Sequence, residues 1–243
     1  YTLLVSKESR FSLKHVDKKT IGEVTNFSFL TCLQQSVMNL GILMVQGRVN
    51  SFGPVVMAAF STGVKIDAFA YMPLQDYGNA FSTFTAQNYG AGKKERIKKG
   101  MRVAFITSLL FSIIISLIVF ILSPSLMELF VGSEELEIIN VGTGYLRVEG
   151  AFYALIGFLF LFYGLYRAVG KPGMSFILTI ISLGTRVLLS YTISEITYIG
   201  VYGIWWSVPI GWLLADILGT IYYTKKKPLE VIETTKKRKE SKK

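Results

Sequence analysis

The sequence predicts an all-α integral membrane protein, a bundle of six transmembrane helices, and three observations carry that expectation. Hydrophobic residues make up 51% of the 243 positions and charged residues only 17%, well under the roughly 25% charge of an ordinary soluble domain. The apolar residues are gathered into long blocks rather than spread along the chain, as a bilayer-spanning chain requires. Lysine and arginine crowd into every second connection between those blocks, which is the imprint of membrane topology rather than of a folded basic surface.

Residues 1–23 read as the cytoplasmic end of a preceding helix followed by a basic linker: Tyr1 to Val5 resembles a last apolar turn, and Lys7, Arg10, Lys14, Lys18 and Lys19 follow it. This reading implies helices upstream, and no signal peptide is visible. The first span, residues 24–47, is polar for a membrane helix because it carries Gln34, Gln35 and Asn39. The second, 54–88, contains Lys65, Asp67 and Asp76. Helices that line a wet cavity have this composition. The third span, 103–122, is an uncharged run of Ile, Leu, Phe, Val and Ser, long enough to cross the ~30 Å hydrocarbon layer as a helix of ~20 residues. The fourth, 148–166, has Glu149 at its edge; the fifth, 173–193, is interrupted by Arg186; the sixth, 202–223, carries Pro209 and Asp216. Residues 24–224 therefore form the six-helix lobe, and 225–243 a basic tail.

The connections set the orientation. Basic residues on one side are those of the linker, then Lys93, Lys94, Arg96, Lys98, Lys99 and Arg102, then Arg167 and Lys171, and finally the tail from Lys225. The opposite connections hold Arg48 and Arg147, with Glu128, Glu134, Glu135, Glu137 and Glu195. The basic side is cytoplasmic by the positive-inside rule, so six spans place both termini in the cytoplasm of a bacterial or archaeal cell that carries this chain in its plasma membrane. The net charge of +10 is thereby accounted for without nucleic acid, and the cluster at 236–239 reads as a solvated or lipid-touching tail.

Composition also narrows the chemistry. One cysteine, Cys32, and one histidine, His15, supply neither a disulfide framework nor a metal-ligand set. No GxxxxGK[ST] phosphate loop is present, so nucleotide hydrolysis on this chain is not expected. The expected protein is not an enzyme, needs no cofactor beyond a coupling ion, and has the lipid bilayer as its first partner.

Candidate functional residues are polar groups at membrane depth, which are costly unless they face a cavity or a partner. Gln35, Met38, Asn39 and Ile42 share helical spacing in the first span, and Asp67, Tyr71 and Leu74 form a stripe in the second. These give an expected substrate cavity of Gln35, Met38, Asn39, Asp67 and Tyr71, with Asp76 nearly opposite Asp67. Lys65 and Asp67 read either as a local pair or as cavity residues, and Arg186 with Asp216 either as an inter-helix ion pair or in a cavity role. Glu149, Arg186 and Asp216 are the candidates for ion relay or gating, with Glu149 expected near the external interface.

Several local motifs carry a family likeness. The segment Phe81-Ser82-Thr83-Phe84-Thr85-Ala86-Gln87-Asn88-Tyr89-Gly90-Ala91-Gly92-Lys93-Lys94, followed by Arg96-Ile97, resembles the signature at the cytoplasmic end of a repeat helix in the multidrug and toxic compound extrusion (MATE) family. Its small residues Ala80, Ser82, Thr83 and Ala86 suit close helix approach, and Gly90 and Gly92 suit a helix end. Residues 42–53 leading into Ala58-Ala59, the turn at 166–172 and Gly200-Val201-Tyr202-Gly203-Ile204-Trp205 are similar, in order, to stretches of that family's second half.

The resemblance covers residues 20–225 and implies one lobe, the C-terminal one, of a two-lobe, twelve-helix transporter. It also implies an activity: alternating access that exchanges H+ or Na+ for an organic cation or drug, with aromatic and methionine side chains contacting flat cations. The missing N-terminal lobe or a second copy of the chain would complete the cavity. Some family members hold a cation on acidic residues of their seventh and tenth helices. The matching stretches 33–41 and 152–163 contain no carboxylate, so the resemblance places the coupling carboxylate in the other lobe. A lipid-linked sugar flippase of the wider superfamily and a non-transporting membrane fragment are the alternatives.

Overall fold

The computed structural model describes residues 17–230. His15, the basic residues Lys7, Arg10 and Lys14, the apolar turn at 1–5 and the tail beyond 230 lie outside the described residues. The elements are α1 (Lys18–Asn50), α2 (Pro54–Gly90), α3 (Lys94–Val131), α4 (Leu136–Gly150), α5 (Tyr153–Ala168), α6 (Pro172–Thr192), a single 3-10 turn at Ile193–Glu195, and α7 (Tyr202–Lys226). Among the described residues five helices are each long and apolar enough to cross a membrane, and α4 with α5, bent by 51° at their junction, pass the same test together, which gives six if the pair is one broken span. The all-α membrane architecture predicted from sequence is the architecture found.

The fourth span differs in where it starts. Sequence placed it at 148–166, but the helical path begins at Leu136, breaks at Ala151 and Phe152, and resumes at Tyr153. Residues of α4 include Glu137, Gly142, Thr143, Gly144 and Arg147, so no apolar block announces it. Its buried face of Ile139, Tyr145, Leu146 and Glu149 is a one-sided stripe that hydropathy averages away.

α3 shows how the lobe sits in lipid. Ile106, Leu110, Ile114, Leu117 and Ile121 are exposed, while Ser108, Ser112 and Ser123 are buried. Apolar residues face outward and small polar ones inward, the arrangement expected where hydrocarbon is the solvent and hydroxyls must find protein partners. Ser112 donates to the Tyr153 carbonyl at 3.4 Å, tying α3 to the start of α5.

Close backbone approach holds α2 to α5. A Cβ added at Gly78 would lie 2.9 Å from the Phe160 carbonyl oxygen, and one at Gly164 would lie 2.5 Å from the Gly78 carbonyl oxygen. Ser82 donates to the Gly164 carbonyl at 2.9 Å across the same crossing. Small residues at the contact allow this approach. Of the small residues expected to pack, only Ser82 does so; Ala80, Thr83 and Ala86 are exposed, and Gly78, just upstream of the signature, makes the crossing.

The helix end that follows is also more specific than expected. Gly92 alone takes a left-handed conformation, with φ 69°, whereas Gly90 stays helical. Lys93 N–H bonds the Asn88 carbonyl at 2.9 Å and Gly92 N–H the Tyr89 carbonyl at 3.0 Å, which satisfies carbonyls that a helix end otherwise strands. Gly170 repeats the device with φ 72°, its neighbour Lys171 donating to the Tyr166 carbonyl at 2.8 Å before Pro172 opens α6. Pro54 sits in the first turn of α2 and so marks a boundary, while Pro73, Pro124 and Pro209 lie inside helices.

Charged residues mark both ends of the bundle. Lys94 and Lys98 of α3 meet Lys227, just past α7, around a cleft of about 300 Å3. At the other end Arg48 donates to Ser194 at 2.8 Å and lies 3.9 Å from Glu195. That contact pins the end of α1 beside the 3-10 turn.

Candidate functional site

Inside the bundle, α1, α2, α4, α5, α6 and α7 converge on a cavity of about 130 Å3. Its floor is aromatic. Phe60 of α2 stacks on Trp205 of α7 with ring centroids 5.6 Å apart and planes within 3°, and Tyr145 of α4 meets both rings edge-on at 5.3 and 5.0 Å. Such a three-ring cluster fixes the relative positions of three helices, and those helices carry the polar groups above it.

The polar groups are two carboxyls and a guanidinium. Asp67 of α2 is 2% exposed and Glu149 of α4 is 4% exposed. The Tyr153 hydroxyl donates to Asp67 Oδ1, and Arg186 Nη2 of α6 lies 4.0 Å from Glu149 Oε1, with the two side chains 13% and 6% exposed. Tyr145, Glu149 and Arg186 are all near enough to Asp67 to interact with it electrostatically. Asp67 Oδ2 and Arg186 Nε have no hydrogen-bond partner among the described residues. Ion-pairing polar groups in a dry interior normally fill all their hydrogen bonds; this set faces the cavity with capacity left over. Met38, Ile42, Tyr71, Phe160 and Tyr163 supply an apolar and aromatic wall.

The break between α4 and α5 builds this arrangement. Tyr145, Glu149 and Tyr153 are spaced four residues apart, so they continue one stripe across the bend. Glu149 comes from the last turn of α4, whose C-terminal residue is Gly150, and Tyr153 opens α5. A Cβ on Gly150 would already touch Val119 of α3 at 3.2 Å; the small residue lets α4 end close against α3.

A second cavity, of about 250 Å3, adjoins the first and shares Met38, Phe160 and Tyr163 with it. Amides dominate its lining: Gln34 and Gln35 from α1, Gln75 and Asn79 from α2. Gln34, 8% exposed, donates to Thr179 Oγ1 at 2.9 Å.

Several expectations are corrected by this geometry. Glu149, in the last turn of α4, is buried between the helices. Arg186 pairs with Glu149 rather than with Asp216, whose two carboxyl oxygens have no hydrogen-bond partner although the residue is buried. Lys65 is exposed and does not pair with Asp67, whose carboxyl accepts from Tyr153 instead. Asn39 is exposed and lines neither cavity, whereas Gln34 does; the first span has polar residues on several faces, and spacing alone did not say which one meets α6.

Met38, Asp67 and Tyr71 line the first cavity, and Gln35 the second. Stretches 33–41 and 152–163, where the resemblance would place a cation site, hold no carboxylate; the carboxyls of this cavity, Asp67 and Glu149, enter from α2 and from the end of α4. Tyr145 and Tyr153 were missed, and their spacing with Glu149 was the signal that could have found them.

The family model described as MatE matches residues 28–192. The chain is 25% identical over 197 residues to the probable multidrug resistance protein NorM of Thermotoga maritima, covering 81% of this chain and 41% of that protein. It is 23% identical over 224 residues to the probable multidrug resistance protein YoeA of Bacillus subtilis, covering 92% and 48%.

Among solved structures, a MOP superfamily transporter from Pyrococcus furiosus superposes with a TM-score of 0.85 at 17% identity, covering 96% of this chain and 53% of that one. The bent form of the Vibrio cholerae MATE transporter VcmN gives a TM-score of 0.81 at 17% identity, covering 91% and 50%. These structural likenesses establish the fold. The chain spans about half the length of the relatives it matches.

Proposed function

Because the chain belongs to the MatE family, we propose that it is the C-terminal six-helix lobe of an ion-coupled antiporter that exports organic cations by alternating access. The observation that carries the reading is the buried Asp67, Glu149 and Arg186 cluster beside an aromatic wall in the lobe's main cavity. With both carboxyls ionised against one guanidinium, the cluster holds one net negative charge, which a single monovalent cation balances. H+ or Na+ supplied by a gradient fills that role in one state, and a flat organic cation in the other. Only a cluster whose occupancy changes between states couples two solutes. Phe160, Tyr163 and Tyr71 suit such a cation through cation–π and dispersion contacts.

The basic end carrying Lys93, Lys94, Lys98 and Lys171 is cytoplasmic in this reading, in a bacterial plasma membrane, and a second six-helix lobe completes the central cavity. The half-length match to relatives named as multidrug resistance proteins supports that arrangement.

The test is ethidium efflux from a pump-deficient host under imposed proton and sodium gradients. The chain joined to an N-terminal lobe is compared with the chain alone, each with and without Glu149→Gln. Gradient-dependent efflux that Glu149→Gln abolishes is the expected result. Efflux by the joined form that is unchanged by Glu149→Gln and Asp67→Asn would remove the cluster from the coupling mechanism. Absence of efflux from well-inserted protein under both gradients would remove drug export.

A further inference from the structure

We propose that the second cavity is an oxyanion-binding site, with Arg167 as its charged group, and that it takes the carboxylate or phosphate of a planar solute. Arg167 lies in the last turn of α5, where sequence assigned it only to the basic cytoplasmic side. Its side chain folds back across the lobe. Nε donates to the Tyr163 carbonyl at 3.2 Å, and Nη2 donates to Asn79 Oδ1 of α2 at 3.0 Å.

The first contact is what a cation at a helix C-terminus ordinarily makes. The second is not, because it draws the guanidinium toward a neighbouring helix and over a cavity. A guanidinium carries five N–H donors in a rigid fork that matches a carboxylate or phosphate. These two contacts leave donors of that fork uncommitted.

The charge of the site has one sign. No carboxylate lines the cavity, and among the described residues no ion pair is made to Arg167. Its neighbours are amides. Asn79 uses its carbonyl oxygen on Arg167, which leaves its N–H2 as the group it can offer a ligand, and Gln34 is held in place by Thr179. Gln75 adds a further amide, and Phe160 and Tyr163 form the wall shared with the carboxyl cavity. The two chambers thus have opposite electrostatic character across one aromatic partition. A cation is favoured beside Asp67 and Glu149, and an oxyanion with a flat body beside Arg167.

The site rests on the transport reading for its role but not for its existence, so binding is measured without transport. The chain is reconstituted in nanodiscs of neutral phosphatidylcholine, and isothermal titration calorimetry is run with benzoate, phenyl phosphate, inorganic phosphate and, as the cationic control, benzylamine. Saturable binding of benzoate or phenyl phosphate is expected. Arg167→Gln is expected to weaken it at least 10-fold while leaving benzylamine binding within 2-fold.

Asn79→Asp provides the second arm. It keeps an acceptor for Arg167 but sets a carboxylate against the guanidinium, and it too should weaken oxyanion binding at least 10-fold with helix content unchanged. Preference for phenyl phosphate together with binding of inorganic phosphate assigns the chamber to a phosphate, whereas preference for benzoate assigns it to a carboxylate. No saturable oxyanion binding to the unaltered chain, or equal binding by the folded Arg167→Gln and Asn79→Asp variants, overturns the proposal. Because none of these readings depends on efflux, an inactive transporter that still binds phenyl phosphate would separate this site from the transport reading.

Discussion

Removing Arg186 should reveal how strongly the lobe depends on its buried ion pair. Arg186 and Glu149 lie 4.0 Å apart with side chains 13% and 6% exposed. At that distance the Coulomb attraction is about 4 kcal/mol for an effective dielectric constant near 20, and desolvation of both groups offsets much of it. The asymmetry matters more than the net value. Arg186→Met leaves Glu149 and Asp67 together without the guanidinium, a change that costs about 3–5 kcal/mol when a buried pair loses one partner. Glu149→Gln leaves the guanidinium facing Asp67 alone, a smaller loss because one carboxyl remains.

The double variant Arg186→Met/Glu149→Gln removes the pair as a unit and should recover to within about 1 kcal/mol of the unaltered chain, since an ion pair replaced by neutral groups is often close to neutral. The coupling energy expected from the cycle, the two single losses together less that of the double variant, is therefore at least about 2–4 kcal/mol. The assay is thermal unfolding in detergent followed by tryptophan fluorescence, Trp205 and Trp212 both lying beside the site. A loss of about 3 kcal/mol corresponds to a midpoint roughly 6–12 °C lower for a chain of this length. If the two single changes add to within about 0.5 kcal/mol in the double variant, the side chains are not coupled and the argument from the pair fails.

Three further outcomes follow from the packing and the polar contacts. Tyr153→Phe removes the donor to Asp67 Oδ1 and should cost about 1.5–3 kcal/mol, read as a lower unfolding midpoint; no change would mean that Asp67 finds another donor. Gly164→Ala drives a methyl into the Gly78 carbonyl and should cost about 1–3 kcal/mol. Gly90→Ala, which meets nothing within 4 Å, should stay within about 0.5 kcal/mol, and an equal effect of the two would refute the close crossing. In a Cys32→Ser background, Ser51→Cys and Lys93→Cys should react with a membrane-impermeant maleimide from opposite faces, Lys93→Cys only after the cells are opened; reaction from the same face would overturn the alternation of spans.

The sequence made the bundle legible wherever hydrophobicity was concentrated. Residues 103–122 announced α3, and the blocks at 24–47, 54–88, 173–193 and 202–223 have ends within about six residues of those of α1, α2, α6 and α7. What it concealed was amphipathic. In α4, Glu137, Gly142, Thr143 and Arg147 dilute the hydropathy average, so Glu149 looked like the edge of a span when it is the interior end of a helix that breaks. Pairing was likewise hidden: Arg186 had two acidic candidates, and only the convergence of α4 and α6 selects Glu149 over Asp216. On α1, polar residues at 34, 35 and 39 occupy several faces, and contact with α6 decides that Gln34 rather than Asn39 turns inward. The Arg167 fork was invisible because charge at a helix end reads as topology until its direction is known.

The Gly78 and Gly164 crossing limits how the cavity can open. Backbones this close interlock like a rivet, so α2 and α5 cannot slide past one another without a collision between main chains; they turn together or not at all. Any breathing of the chamber falls instead to members held by side chains alone. α1 is one of these, leaning mainly on α6 and tied to that side by Gln34 on Thr179, by the Tyr191 hydroxyl on the Met44 carbonyl and by Arg48 on Ser194. If the chamber admits a solute as proposed, α1 is the member that can yield against the two-helix spine, and substitutions that lock α1 to α6 should slow passage even when every cavity residue is untouched.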